Sequence, residues 1–207
     1  MTRFLALIIT LIFSSISFAD FEKGLDCAQQ QDFACALKEW KPLAAEGDMD
    51  AQYNLGIMYS NGEGVKQDKF AAFKYYKLAA DQGYSKAQYN LGIVYDNGLG
   101  VKQDKFAAFK YYKLAADQGN DKAQYNLGGM YNNGEGVKQD KFAAFKYFKL
   151  AADQGYSKAQ YNLGSMYNNG QGVKQDKFEA KRLYGLACNN RDAEGCDNYK
   201  LLNEAGY

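Results

Sequence analysis

The 207-residue chain contains no histidine, and its single proline is Pro42. Without histidine there is no Ser-His-Asp or Cys-His catalytic pair. There is likewise no His-ligated zinc, haem or di-iron site, and no imidazole to titrate near neutrality. General acid–base chemistry would fall to Lys, Glu, Asp or Tyr. Near-absence of proline suits an almost wholly helical chain. A strong charge of one sign is also missing, since the net charge is +1. Residues 20–50 hold Lys23, Lys38 and Lys41 against eight acids, whereas the repeats that follow are weakly positive. A nucleic-acid footprint needs dense Lys/Arg on one face, so no nucleic-acid partner is expected.

Long apolar runs are scarce as well. The one present, Phe4 to Phe18, is broken only by Thr and Ser and follows Met1-Thr2-Arg3. Ser17-Phe18-Ala19 then places small residues at the −3 and −1 positions of a cleavage site, the pattern of a secretory signal peptide. Residues 1–19 are expected to be removed after Ala19, leaving a periplasmic or secreted chain from Asp20 with no stable membrane anchor. The run is short for a transmembrane span, though an uncleaved anchor is the alternative. No cysteine follows the cut directly, which argues against a lipid anchor there.

The strongest positive signal is self-similarity. Ala-Gln-Tyr-Asn-Leu-Gly begins at Ala51, Ala87, Ala123 and Ala159, a period of 36. The stretch from Asp68 to Gly83 recurs unchanged from Asp104, and from Asp140 with Phe148 in place of Tyr76. Each unit reads as two helices. In helix A, Ala51, Leu55, Met58 and Tyr59 form an apolar stripe. Gly56 sits mid-helix, which predicts close approach of a neighbouring helix, and Asn61-Gly62-Glu63-Gly64 ends the helix. Asp68 is placed to cap helix B, in which Phe70, Phe73, Tyr76 and Ala80 form the stripe. One hairpin cannot bury such stripes alone, so stacking is required. The expected fold is all-α, a right-handed α-α superhelix. Most aromatics, including Tyr59, Phe70, Phe73 and their copies, are expected to be packing residues.

The pattern Ala-x-x-x-Leu-Gly-x-x-Tyr-x-x-Gly-x-Gly-Val-x-x-Asp-x-x-x-Ala-x-x-x-Tyr-x-x-Ala-Ala-x-x-Gly resembles the Sel1-like repeat family, relatives of the tetratricopeptide repeats. In this reading residues 51–86, 87–122, 123–158 and 159–194 are the four repeats. Residues 20–50 resemble a shorter tetratricopeptide-type capping hairpin, with Gly24, Cys27, Phe33, Ala36, Trp40 and Leu43 at that family's spacings. Pro42 falls inside its second helix, where it should kink the helix or remove a hydrogen bond. Residues 195–207 form a C-terminal capping helix, with Lys200, Asn203 and Glu204 facing water.

Four cysteines form two Cys-x7-Cys pairs, and three connectivities are possible. The local ones, Cys27–Cys35 and Cys188–Cys196, are favoured because each spans one helix–turn–helix junction while the pairs lie at opposite ends of a solenoid. A zinc held by all four would require those ends to meet, so no metal is expected. The spacing also resembles the Helicobacter cysteine-rich proteins, a resemblance that implies penicillin binding or weak β-lactamase activity as an alternative. The central repeats here carry no cysteine. The mature chain also lacks Ser-x-x-Lys and Lys-Thr-Gly, so no catalytic residue and no cofactor are assigned.

Binding is the better-supported expectation. If helix A lines the concave face, the exposed positions are Tyr53, Ile57 and Ser60, then Tyr89, Ile93 and Asp96, Tyr125, Gly129 and Asn132, and Tyr161, Ser165 and Asn168. The second and third of each trio vary between otherwise near-identical repeats. A tyrosine row beside a variable polar row suits a peptide groove, since Tyr gives contact area at low entropy cost. Tolerated variation is the plainer alternative. The row of Asn54, Asn90, Asn126 and Asn162 could bond a partner's backbone or an adjacent helix. Together these features predict an exported scaffold or adaptor for a protein or peptide, expected to be a monomer. A secreted factor acting on host cells is a third reading.

Overall fold

The computed structural model describes residues 20–207; the signal peptide expected at 1–19 lies outside the described residues. All regular elements among the described residues are helices. In order they are α1 (20–29), α2 (Phe33–Glu46), α3 (Met49–Asn61), α4 (Lys69–Asp81), α5 (Ser85–Asn97), α6 (Lys105–Asp117), α7 (Asp121–Asn133), α8 (Lys141–Asp153), α9 (Ser157–Asn169), α10 (Lys177–Asn189) and α11 (Ala193–Glu204). The described residues fall into two compact units, one of residues 20–87 with 99–102, the other of 88–98 with 103–207.

Helix ends follow the residues that satisfy orphan backbone groups. Asp68, Asp104, Asp140 and Asp176 each have extended backbone and accept from amides of the first turn of helix B, as an N-cap should. Gly62, Gly134 and Gly170 close their helices in the left-handed region at φ 81°, 75° and 67°, where glycine costs least.

In the first unit Ala36, Trp40, Leu43, Ala44, Ala51, Leu55 and Met58 make one core cluster. A Cβ on Gly24 would lie 2.3 Å from the Trp40 ring, and one on Gly56 would lie 2.5 Å from Tyr76. Both glycines therefore let an aromatic ring lie against helix backbone, as the sequence predicted for Gly56. Helix α2 runs from Phe33 to Glu46 with Pro42 inside it, so the proline does not end the helix. Cys27 is joined to Cys35.

The second unit repeats this packing. Ala108, Tyr112, Ala115, Ala116, Ala123, Leu127 and Met130 form one cluster, and Ala144, Phe148, Ala151, Ala152, Ala159, Leu163, Met166 and Leu183 form another. Cys188 is joined to Cys196. Lys200, Asn203 and Glu204 are exposed. The last residue, Tyr207, folds back on α10, where Lys177 Nζ donates to its hydroxyl at 3.2 Å and its ring meets Phe178 edge-on at 5.7 Å.

A buried glutamine recurs in helix A. Gln52, Gln88, Gln124 and Gln160 are each 4% exposed. Gln124 Nε2 donates to the Ala116 carbonyl of the preceding helix, while its Oε1 accepts from Gln154 Nε2 at 2.8 Å. The same bond recurs as Gln82 to Gln52, Gln118 to Gln88 and Asn190 to Gln160. These amides satisfy backbone groups that close helix packing removes from water.

One expectation is corrected. Phe70 is half-exposed, and Phe106, Phe142 and Phe178 are 70%, 71% and 68% exposed. They lie on an exposed side of helix B; the buried stripe is instead Ala72, Tyr76, Ala79, Ala80 and their copies. A helix carrying aromatics on several sides cannot bury all of them against one neighbour. Tyr59 is half-buried and stacks on Tyr75.

Candidate functional site

In the first three repeats the variable residue at the end of helix A is held by the lysine that opens helix B of the same repeat. Lys69 Nζ donates to the Ser60 carbonyl at 2.6 Å and to Ser60 Oγ at 3.1 Å. Lys141 Nζ donates to Asn132 Oδ1 at 2.7 Å. At the second repeat the partner is ionic, with Lys105 Nζ 2.5 Å from Asp96 Oδ1. Lys105 also lies 2.8 Å from Glu135 Oε2, so α5, α6 and the loop after α7 share a three-charge chain. Hydrogen bonds donated to Asp96 first and to Glu135 next raise the Lys105 pKa. Lys105 first, then Asn133, holds the Glu135 carboxyl below the usual carboxylate range.

Beside this chain, in the second unit, lies a cavity of about 300 Å³. The buried rings of Tyr112 and Phe148, the half-buried ring of Tyr125 and the side chains of Met130 and Met166 provide its apolar lining. Asn126, Asn132, Asn133, Asn162, Ser165 and Gln171 provide amides and a hydroxyl, and Asp96 and Glu135 the charges. Tyr112 OH lies 3.5 Å from Asp96 Oδ2. Burial first, then the Asp96 charge, pushes the Tyr112 phenol pKa up, against a lowering hydrogen bond from Asn126. The phenol thus stays protonated, and the Asn126 amide serves packing against α6 as well as lining.

The cavity opens at Gly129, where an added Cβ would meet nothing within 4 Å. The equivalent residues are Ile57, Ile93 and Ser165. Asp96, Tyr125, Gly129, Asn132 and Ser165 of the anticipated site thus share one cavity.

The other anticipated residues lie elsewhere. Ile57 lines a separate hollow of about 330 Å³ in the first unit with Trp40, Asn54 and Glu63. Ser60 is engaged by Lys69, and Ile93 packs on the core cluster around Tyr112. Tyr53, Tyr89 and Tyr161 rest their rings on Tyr76, Tyr112 and Tyr184 at 6.0, 6.0 and 5.6 Å. Their half-burial makes the tyrosine row in part a packing feature. Asn168 Nδ2 donates to Asn169 Oδ1 at 3.4 Å.

Tyr112, Asn133, Glu135, Phe148 and Gln171 were not anticipated. Glu135 carried a usable signal, because the loop position Glu63, Leu99, Glu135 and Gln171 varies between copies just as the Asp96 row does. Among the described residues no group of three or more His, Cys, Asp or Glu could hold a metal ion, and no helix is long and apolar enough to cross a membrane.

A protective antigen of uropathogenic Escherichia coli with an SLR fold is 32% identical at a TM-score of 0.90, covering 93% of this chain and 42% of that one. This chain therefore spans less than half the length of that protein. A Sel1 repeat protein of Oxalobacter formigenes is 30% identical at a TM-score of 0.81, covering 84% of this chain and 72% of that one. Helicobacter pylori cysteine-rich protein B shares the fold at 23% identity and a TM-score of 0.52, covering 64% of this chain and 96% of that one. No curated protein matches the chain. Sel1-repeat proteins are generally protein–protein interaction scaffolds and generally not enzymes. The Sel1 repeat family model matches residues 50–84, 85–120, 121–156 and 157–192; with paired helices in each match and their aromatic-on-glycine packing, the chain belongs to the Sel1-repeat family.

Proposed function

We propose that the chain is an exported scaffold that binds a protein or peptide through the helix-A face of its repeats. The cavity at Gly129 carries this reading. Repeats otherwise near-identical diverge at the residues that open and line it, which is where a binding face would diversify while packing positions stay constant. Export is supported by the two disulfides, which persist in oxidising compartments, and by the signal-like residues 1–19.

The β-lactam alternative gains nothing from the cavity. A β-lactam carries a carboxylate, and the charged groups of the lining are the carboxylates of Asp96 and Glu135. Ser165 lines the cavity, but its Oγ accepts from Asn169 and no lysine lies beside it in the lining.

The test is crosslinking capture of partners by the wild type and by the Ile57→Ser, Ile93→Ser double variant. Serine is the residue of the fourth repeat at this position; because Ile93 also packs on the core cluster around Tyr112, urea unfolding of the variant is measured alongside capture. Loss of the captured species with unchanged helical circular dichroism is expected. Unchanged capture would reject the helix-A face as the binding surface.

A further inference from the structure

The cavity at Gly129 differs from the equivalent positions of the other repeats in both shape and charge. The residues in register with Asp96 and Glu135 are Ser60 and Leu99 at one neighbouring junction, and Asn132 and Gln171 at the other. Neither of those pairs carries charge. The position that is Gly129 is isoleucine in repeats one and two and serine in repeat four. A double-acid lining and an open helix surface therefore coincide at one junction of four near-copies.

The lining holds two carboxylates and no lysine or arginine. Lys105, which is outside the lining, occupies Asp96 Oδ1 and Glu135 Oε2. One negative charge is left over, and the remaining oxygens are lightly used. Asp96 Oδ2 has Tyr112 OH at 3.5 Å, and Glu135 Oε1 accepts from Asn133 Nδ2 at 3.2 Å. A volume of about 300 Å³ is at the small end for ligand sites. It suits one long side chain rather than a folded segment. Aromatic rings beside carboxylates favour a planar cation, which donates in a fork and lies against a ring face.

We propose that this cavity receives a cationic side chain of the partner, an arginine guanidinium, with Asp96 and Glu135 accepting its hydrogen bonds and Tyr125 against its plane. The inference rests on the helix-A face being the binding face and specifies one contact on it.

The probe is arginine amide, titrated into the isotopically labelled chain at low salt and followed by backbone amide shifts. Citrulline amide, which replaces the guanidinium by a neutral urea of similar shape, is the control. Saturable shifts centred on Asn126 and Gly129 are expected, with citrulline amide roughly ten-fold weaker and added salt weakening the arginine complex. Gly129→Ile installs the residue of repeats one and two and should abolish binding without unfolding the chain. Asp96→Asn, the residue of repeats three and four, should weaken it several-fold. Equal binding of the two amides, no saturable shift, or binding that survives Gly129→Ile overturns the assignment. The two readings fail separately. Capture sensitive to Ile57→Ser, Ile93→Ser without arginine amide binding keeps the face and rejects this contact. Selective arginine amide binding with insensitive capture leaves a guanidinium site in the cavity but rejects the partner-binding face on which this contact rests.

Discussion

Two adjacent glycines in α7 make opposite predictions. A Cβ on Gly128 would lie 2.7 Å from the Phe148 ring, whereas one on Gly129 meets open space. Gly128→Ala should destabilise by about 1–3 kcal/mol through overpacking. Gly129→Ala should stabilise by up to about 1 kcal/mol through helix propensity. Urea unfolding followed by circular dichroism separates them, and equal signs would contradict the packing described. The sequence alone marks Gly128 by its recurrence as Gly56, Gly92 and Gly164, but what touches it is a tertiary fact. Glu135 supplies a pH test. Its folded pKa is lowered by Lys105, so its contribution is present above the unfolded carboxyl pKa and lost as pH falls through the folded value. With both side chains more than a third exposed, the pair is worth below about 1 kcal/mol. Glu135→Gln should therefore be slightly less stable than wild type at neutral pH and equal to it in acid or high salt. A difference that persists at low pH would assign the effect to something other than charge.

At the scale of the element, the glutamine ladder is the sharpest case. Gln124→Ala would remove one bond each from the Ala116 carbonyl and the Gln154 amide, which keep the Gly119 N–H and the Gly119 carbonyl as partners. A lost hydrogen bond costs about 0.5–1.5 kcal/mol. Gln154→Ala should cost less, because Gln154 is exposed. The double variant should lose less than the sum, a coupling of about 1 kcal/mol in a thermodynamic cycle; strict additivity would argue that the bond does not form. Helix positions, Asp N-caps and glycine stops were all legible, since they depend on residues within a few places of each other. Spacing marked Phe106, Phe142 and Phe178 as packing residues, yet they are exposed. Spacing marks a residue as apolar and periodic, but which side of a doubly apolar helix is covered depends on neighbours that are distant in sequence.

For the molecule as a whole, the disulfides Cys27–Cys35 and Cys188–Cys196 each close a short loop near one end of the described chain. In the chain-entropy model such a loop contributes about 2–3 kcal/mol. Terminal units of a repeat array have one neighbour only and open first. Mild reduction should therefore lower thermal stability and raise hydrogen exchange in residues 20–50 and 188–207 before the central repeats. Central repeats opening first would contradict this.

Repeat number, helix pairing, caps and the two local disulfide pairs were determined by the sequence itself. Periodicity and short-range geometry suffice for these, and 36-residue near-copies repeat the signal four times. The cavity was decided by tertiary structure. Gly129, Asp96 and Glu135 are separated along the chain, and their meeting depends on α5 and α7 being held against α6 with Lys105 between the two acids. The sequence marked these positions only as places where copies differ. Packing turned that difference into an open, negatively charged space, because burial of Tyr112 and Phe148 fixes its base and the missing Gly129 side chain leaves it unfilled.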